Sequence, residues 1–341
     1  MDARHLAKAL AESGYAAGLD ARGWTALLAM AHAERLTASL AWRLDGLDLP
    51  ETAREVLDQA RTSAEVQRTH ALWEAEMARR ALAPLGIPVV LLKGTAYAAA
   101  GLDAGRGRLI GDLDIFVPRD RLDKAETALL AAGWEWVKPD PYDDAYYRRH
   151  MHELPPLIHR ERDRMIDVHH TILPLTARTG RPDAAALIER AVPFGNGLSM
   201  LAPQDMLLHA VAHLFADGDL AGGLRNLWDI DRLIREFADT PGWWDHVCAA
   251  STQHSLTPHL SRALRLARHL FDTPVADALA WQARPGDVWY LSRILARNGW
   301  GQETRKALRF AFYLRSHWIR MPVPMLARHL FTKWRKARAA Q

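Results

Sequence analysis

Apolar, β-branched runs are confined to one block of this 341-residue chain, residues 87–170, and the segments on either side repeat their apolar positions at helical spacing. A chain built this way reads as helical, then a small αβ core, then helical again. Before the block, Trp24, Leu27, Leu28, Leu36, Leu40 and Leu44 recur at three- and four-residue steps. After Pro50, residues 51–85 are rich in Ala, Arg, Glu and Leu and contain no Gly, which predicts a long helix. Beyond Pro203, helical periodicity returns over 204–215, 224–238, 243–250, 258–271 and 276–282. The expected organisation is a helical region (1–85), an αβ core (86–200), a second helical domain (201–303) and a tail (304–341).

Within the block, 87–92 reads as a buried strand after Gly86, ended by Lys93-Gly94-Thr95. A short helix over 96–100 and a Gly- and Arg-rich loop with Arg106 and Arg108 follow. Residues 112–117 form the next strand, then a helix over 120–132 with its C-cap at Gly133, and a strand over 134–137. A polar loop rich in Tyr and Asp leads to two more strands, 153–159 and 165–170, with 160–164 as the turn. Pro155-Pro156 is expected to put the first of these on a sheet edge.

The acids of these strands carry the chemistry. Side chains alternate across a strand, so Asp112 and Asp114 share one face while Leu113, Ile115 and Val117 face a helix layer. In Met165-Ile-Asp-Val-His169, Asp167 and His169 likewise stand opposite Ile166 and Val168. If the two strands are neighbours, three carboxylates converge, an arrangement most readily tolerated around a cation. Oxygen ligands suit Mg2+ or Mn2+ rather than zinc. Gly94 and Thr95, between strand and helix, offer backbone N–H groups and a hydroxyl to a phosphate, and Lys93, Arg106 and Arg108 offer neutralising charge.

Other candidates have plainer readings beside the functional one. His209 and His213 stand i and i+4, but HAVAH lacks the Glu of a zinc-protease HExxH, which leaves packing or a polar network with Arg225 and Asp229. His152, His169 and His170 flank the acidic strand, where His169 either orients substrate or a carboxylate or is a structural histidine. There is no GxSxG signature and no Ser-His-Asp order, which leaves hydrolase chemistry unsupported. The single cysteine, Cys248, excludes an intramolecular disulfide and a Cys-rich zinc site and fits a reducing cytoplasm. No uncharged apolar segment reaches 18 residues, and the first residues carry no basic-then-apolar pattern, so membrane spanning and secretion are not expected. Residues 304–341 hold ten Lys or Arg and no acid, against 34 bases and 40 acids elsewhere. With Phe310, Phe312, Tyr313, Trp318, Phe331 and Trp334 among them, these bases suit RNA or an anionic membrane surface, or simply pack with their charges solvated.

The order strand, Gly-Thr, helix, Asp-x-Asp strand and later single-Asp strand resembles the nucleotidyltransferase superfamily of DNA polymerase β type. Its pattern is an apolar residue followed by Gly and then Gly or Ser, two acids flanking an apolar residue, and a third acid on a strand. More closely, LLKGTAY, the Arg-containing loop, GDLDIFV, the helix ending at AAGW, MIDVHHTI and LLHAVAHLFADGDLAGGLRNLWDIDRLI resemble a family of mostly uncharacterised bacterial nucleotidyltransferases, from Trp24 to Phe271. The resemblance implies an α+β fold, a polymerase-β-type core of small mixed sheet and helices between N-terminal and C-terminal helical regions. It implies metal-dependent transfer of an NMP group from an NTP to an acceptor hydroxyl with pyrophosphate release. Asp112 and Asp114 would be metal ligands, Asp167 a third carboxylate serving as ligand and base, and Gly94 and Thr95 the triphosphate cradle. A helical domain forms the other wall of the cleft in this superfamily, which gives His209 and His213 a place there. Thr95 departs from the usual Ser or Gly, and the seventeen residues between Gly94 and Asp112 are more than in many members. Two alternatives share the fold, a non-catalytic nucleotide- or partner-binding module and an RNA-directed transferase recruited by the tail.

Overall fold

The computed structural model describes residues 2–138, 140–194, 196–276, 279, 284–322, 324–327 and 335. The N-terminal region is helical, with α1 (Arg4–Ala11), α2 (Ala21–Ala33), α3 (Thr37–Arg43) and the 32-residue α4 (Glu51–Leu82). Helix α4 starts after Pro50, carries Glu51 in its first turn and Arg79 and Arg80 in its last, and so complements its own dipole. Its buried stripe (Ala53, Leu57, Ala64, Ala71, Ala75, Ala78, Leu82) faces the rest of the molecule. Pro84 and the left-handed Gly86 end it and aim the chain into the sheet.

The αβ region runs β1 (Val89–Leu91), α5 (Lys93–Ala99), β2 (Asp112–Phe116), α6 (Leu122–Ala131), β3 (Trp134–Trp136), α7 (Pro141–His150), β4 (Leu157–His159), β5 (Met165–His169), α8 (Ala184–Glu189), β6 (Val192–Pro193) and β7 (Leu198–Met200). These strands make one mixed sheet in the order β3-β4-β5-β2-β1-β7-β6. Central β2 is antiparallel to β1 and parallel to β5. The C-terminal region holds α9 (Pro203–Ala212), which passes into a π turn at His213–Asp217, then α10 (Gly223–Phe237), α11 (Trp243–Gln253), α12 (Thr257–Phe271), α13 (Asp287–Ile294) and α14 (Lys306–Arg320). The fold is therefore α+β, a small mixed sheet flanked by helices, and one apolar cluster runs through it from Ala3 to Phe312.

Four expectations change. The polar stretch expected to be a loop contains α7, because the Asp140 carboxylate accepts from the N–H groups of Tyr142 and Asp143 and Pro141 suits the first helical position. The strand expected over 153–159 is confined to β4, which begins after Pro155-Pro156 and lies inside the sheet; β3 takes the edge. The prolines interrupt the pairing, which resumes at the Glu153–His169 bridge, without deciding the strand's place. The short helix after β1 starts at Lys93 rather than at residue 96. Two strands that hydrophobic alternation did not mark, β6 and β7, extend the sheet beyond β1. The helix expected over 276–282 falls largely outside the described residues, as does much of the tail after Arg320.

Candidate active site

The register of β2 and β5 builds the site. The parallel pairing sets Asp112 opposite Met165 and Asp114 opposite Asp167, so both strands present acids on the same face while Leu113, Ile115, Ile166 and Val168 are buried on the other. Asp112, Asp114 and Asp167 each offer an oxygen within 4.8 Å of the others. Asp112 is exposed, Asp167 half-buried and Asp114 buried. The turn between β4 and β5 is held by α4, where buried Glu74 takes both arms of Arg162 at 2.6 and 2.9 Å.

The end of β1 supplies the next group. The Leu92 N–H donates to the Asp114 carbonyl, and Lys93 then adopts a left-handed conformation (φ 47°) that turns the chain into α5. This turn brings Lys93 Nζ to 2.7 Å from Asp114 Oδ1, which also accepts from His169 Nε2 at 2.9 Å. Burial alone would raise the Asp114 pKa, but the Lys93 ammonium and His169 overcome it and hold the carboxyl far below the usual range. Asp167 behaves in the opposite way. Burial, reinforced by the charges of Glu153 and Asp114, pushes its carboxyl up to about 7, and its buried Oδ1 has no hydrogen-bond partner among the described residues. A crowded carboxylate without a donor fits a position meant for a cation.

The remaining sequence candidates divide. Gly94 is buried in the first turn of α5 against Arg108; a Cβ there would fall 2.5 Å from Arg108 Nε and 2.8 Å from its Cδ. The Arg108 guanidinium is fixed on buried Asp229 and lies over the Tyr97 ring, so it cannot easily yield. Gly94→Ala is therefore expected to cost about 1–3 kcal/mol in a denaturant titration, the range for overpacking. Thr95 is buried with its Oγ1 unpaired among the described residues. Arg106 is exposed, pairs with Asp103 at 3.1 Å, and lines a separate cleft with Trp42, Arg61 and Tyr97, away from the carboxylates. His209 on α9 and His213 at the π turn both carry the electrostatic influence of Lys93, His169 and Asp114, which places them around the same centre.

Burial keeps these imidazoles neutral. His209 is well below the ordinary value, His213 is lowered to about 3 and the more distant His259 to about 4. A depressed histidine contributes stability that is complete above about pH 6.5 and is lost as pH falls toward its folded value, at about 1.4 kcal/mol per pH unit for each group. Asp167, with a raised pKa, contributes with the opposite sign between its unfolded value and about 7. With His152 and His170, which burial also lowers, these imidazoles outweigh the two raised carboxyls of Asp167 and Glu34, so the urea midpoint is expected to fall steeply between about pH 6.5 and 4.5. A His213→Asn variant should show a shallower slope.

Sequence patterning did not single out two nearby groups. Glu153 forms an isolated bridge with His169 and reaches that ring, and Tyr147 on α7 has its hydroxyl pKa raised to about 12 by burial and by Glu153 and Asp167. The helix hidden in the polar stretch concealed Tyr147. Near the C-terminus, α14 packs on the π turn through Arg315, which donates to the Phe215 carbonyl at 2.6 Å; it buries Phe312, Ser316 and Ile319 and exposes Phe310, Tyr313, Leu314 and Trp318. Among the described residues no helix is long and apolar enough to cross a membrane.

A comparison with curated proteins found no match. A family model described as an uncharacterised nucleotidyltransferase matches residues 20–272, a span that contains α2 to α12 and every acid of the site. With three acids on adjacent strands of a mixed sheet and this match over most of its length, the chain belongs to that family of uncharacterised nucleotidyltransferases.

Proposed function

We propose that this protein transfers an NMP group from an NTP to an acceptor hydroxyl, with Asp112, Asp114 and Asp167 holding Mg2+ or Mn2+. The observation that carries the reading is the convergence of the three carboxylates together with the unpaired, buried Oδ1 of Asp167. When bound, such an ion supplies charge neutralisation and polarisation at the transferring phosphoryl group. The acceptor oxygen forms the new bond to the α-phosphorus as the bond to the pyrophosphate oxygen breaks. Asp167, a ligand through one carboxylate oxygen, would take the acceptor's proton on the other. Lys93 holds Asp114 and stands at the strand-helix turn, where its ammonium can pass to a phosphate oxygen. Thr95 would contribute its hydroxyl to the triphosphate, and Arg108 would shape the turn through Gly94 rather than touch the nucleotide.

One observation favours a second reading. Lys93 already neutralises Asp114, which also accepts a hydrogen bond from His169, as expected of a non-catalytic module that keeps the fold. Calorimetric titration of each NTP with Mg2+ or Mn2+ separates the two. Saturable binding that depends on the ion supports the transferase and identifies the base, and absence of binding supports the module. The exposed aromatic stripe of α14 suits recruitment to RNA or an anionic membrane surface, which a Phe310→Ser/Trp318→Ser variant, with buried Phe312 and Ile319 left in place, tests by loss of RNA or vesicle binding with nucleotide binding retained.

Thr95→Val separates stability from ligand contact. Removing a buried, unpaired hydroxyl is expected to raise stability by about 1 kcal/mol. If the hydroxyl meets the triphosphate, nucleotide affinity falls by about tenfold, equivalent to one hydrogen bond. Unchanged affinity would remove Thr95 from the nucleotide site.

A further inference from the structure

We infer that His152, Glu153 and His169 form a second cation site, distinct in chemistry from the three aspartates, that takes a borderline transition-metal ion of the Zn2+ or Co2+ class. One donor atom from each residue lies within 4.8 Å of the other two. Glu153 Oε2 is 3.5 Å from His169 Nδ1 and 3.6 Å from His152 Nε2. Both separations exceed an N–H···O hydrogen bond, which runs from about 2.7 to 3.2 Å. They match the edge of a tetrahedron whose metal–nitrogen and metal–oxygen bonds are about 2.0–2.2 Å, which puts neighbouring donors about 3.4 Å apart.

The second observation is the state of the His169 ring. Its side chain is 1% exposed, and Nε2 is engaged by Asp114, which leaves Nδ1 facing Glu153 without a hydrogen-bond partner among the described residues. A carboxylate on the far nitrogen is the arrangement that orients a metal-binding histidine and leaves its other nitrogen as the ligand. His152 stands beside it with ring centroids 5.3 Å apart. Backbone pairing fixes the geometry, since His170 N–H donates to the His152 carbonyl and Leu154 N–H to that of Val168. Two imidazoles and one carboxylate favour zinc-class ions, whereas the all-oxygen aspartate set favours Mg2+ or Mn2+. An ion here would fix His169 and, through its Nε2, the orientation of Asp114. The site stands on its own donors and does not require that the aspartates catalyse nucleotidyl transfer.

The test is titration of the full-length apo protein with Co2+, followed by visible absorption, in an Asp112→Asn/Asp167→Asn background that silences the aspartate set. A four- or five-coordinate d–d spectrum is expected there. It should weaken by more than about 100-fold in affinity in His152→Ala and in the isosteric Glu153→Gln, since losing a ligand exceeds the 10–100-fold effect of an outer partner. X-ray absorption on Zn2+-loaded wild-type protein, which needs no variant to fold, should show two imidazole nitrogens at about 2.0–2.1 Å. An all-oxygen shell, a spectrum unaffected by both variants, or no retained ion after dialysis overturns the proposal.

Discussion

Asp112→Asn is expected to lower NMP transfer by about 10³–10⁴-fold while the protein melts within about 0.5 kcal/mol of wild type. Asp112 is the exposed member of the three acids, and Asn matches it in size. Changing it removes a charge from the cation position without emptying any buried pair. A bound ion contributes several kcal/mol to phosphoryl chemistry, and each 1.36 kcal/mol is tenfold in rate, which sets the magnitude. Asp114→Asn should abolish transfer too but is the poorer probe. It leaves the Lys93 ammonium and His169 facing a neutral amide in a buried pocket, so lost activity would be mixed with lost stability. The readout is transfer of label from an α-labelled NTP, with pyrophosphate release measured in parallel and a urea titration as control. An Asp112→Asn protein that kept more than a tenth of wild-type turnover would remove the cation role from this residue.

The candidate site was legible wherever one strand face carried its residues. Asp112, Asp114 and Asp167 were marked by alternation against Leu113, Ile115, Ile166 and Val168, and the parallel pairing of β2 and β5 supplied the condition on which their convergence rested. Alternation is a property of a single strand, so it identified the acids but not the register that sets Asp114 against Asp167. Groups brought in by other elements were harder to see. Tyr147 lies on a helix whose apolar periodicity is weak, and its start depends on Asp140 and Pro141. Glu153 reaches His169 through one isolated bridge, which leaves no periodic signal. Arg106 and Arg108 show the converse difficulty. Sequence placed both in one basic loop, yet partners distant in the chain, Asp229 for Arg108 and the cleft beside Trp42 for Arg106, send them to different places.

Those distant partners make Asp229→Asn the second large effect, an expected loss of about 3–5 kcal/mol in folding stability. Asp229, on α10, is buried and takes charge from both Arg108 and Arg225. Arg225 also donates to Ser39 Oγ on α3 at 2.6 Å, and that hydroxyl reaches the carbonyls of Arg106 and Gly107 at 3.3 Å. The seventeen-residue interval between Gly94 and Asp112 is therefore clamped between an N-terminal and a C-terminal helix, rather than left as an open loop. Without the carboxylate two buried guanidiniums face one another, and burial already disfavours the charge on each. Because Arg108 also fills the space over Gly94, its release should loosen the turn that sets Lys93 on Asp114. Nucleotide affinity should then fall together with stability. The coupling is measurable, since adding Arg108→Met to Asp229→Asn removes one of the stranded charges and should recover part of the loss, with an interaction energy of about 0.5–3 kcal/mol. A loss below about 1 kcal/mol for Asp229→Asn alone would mean that both guanidiniums reach water, and the clamp would then not be what shapes the strand-helix turn.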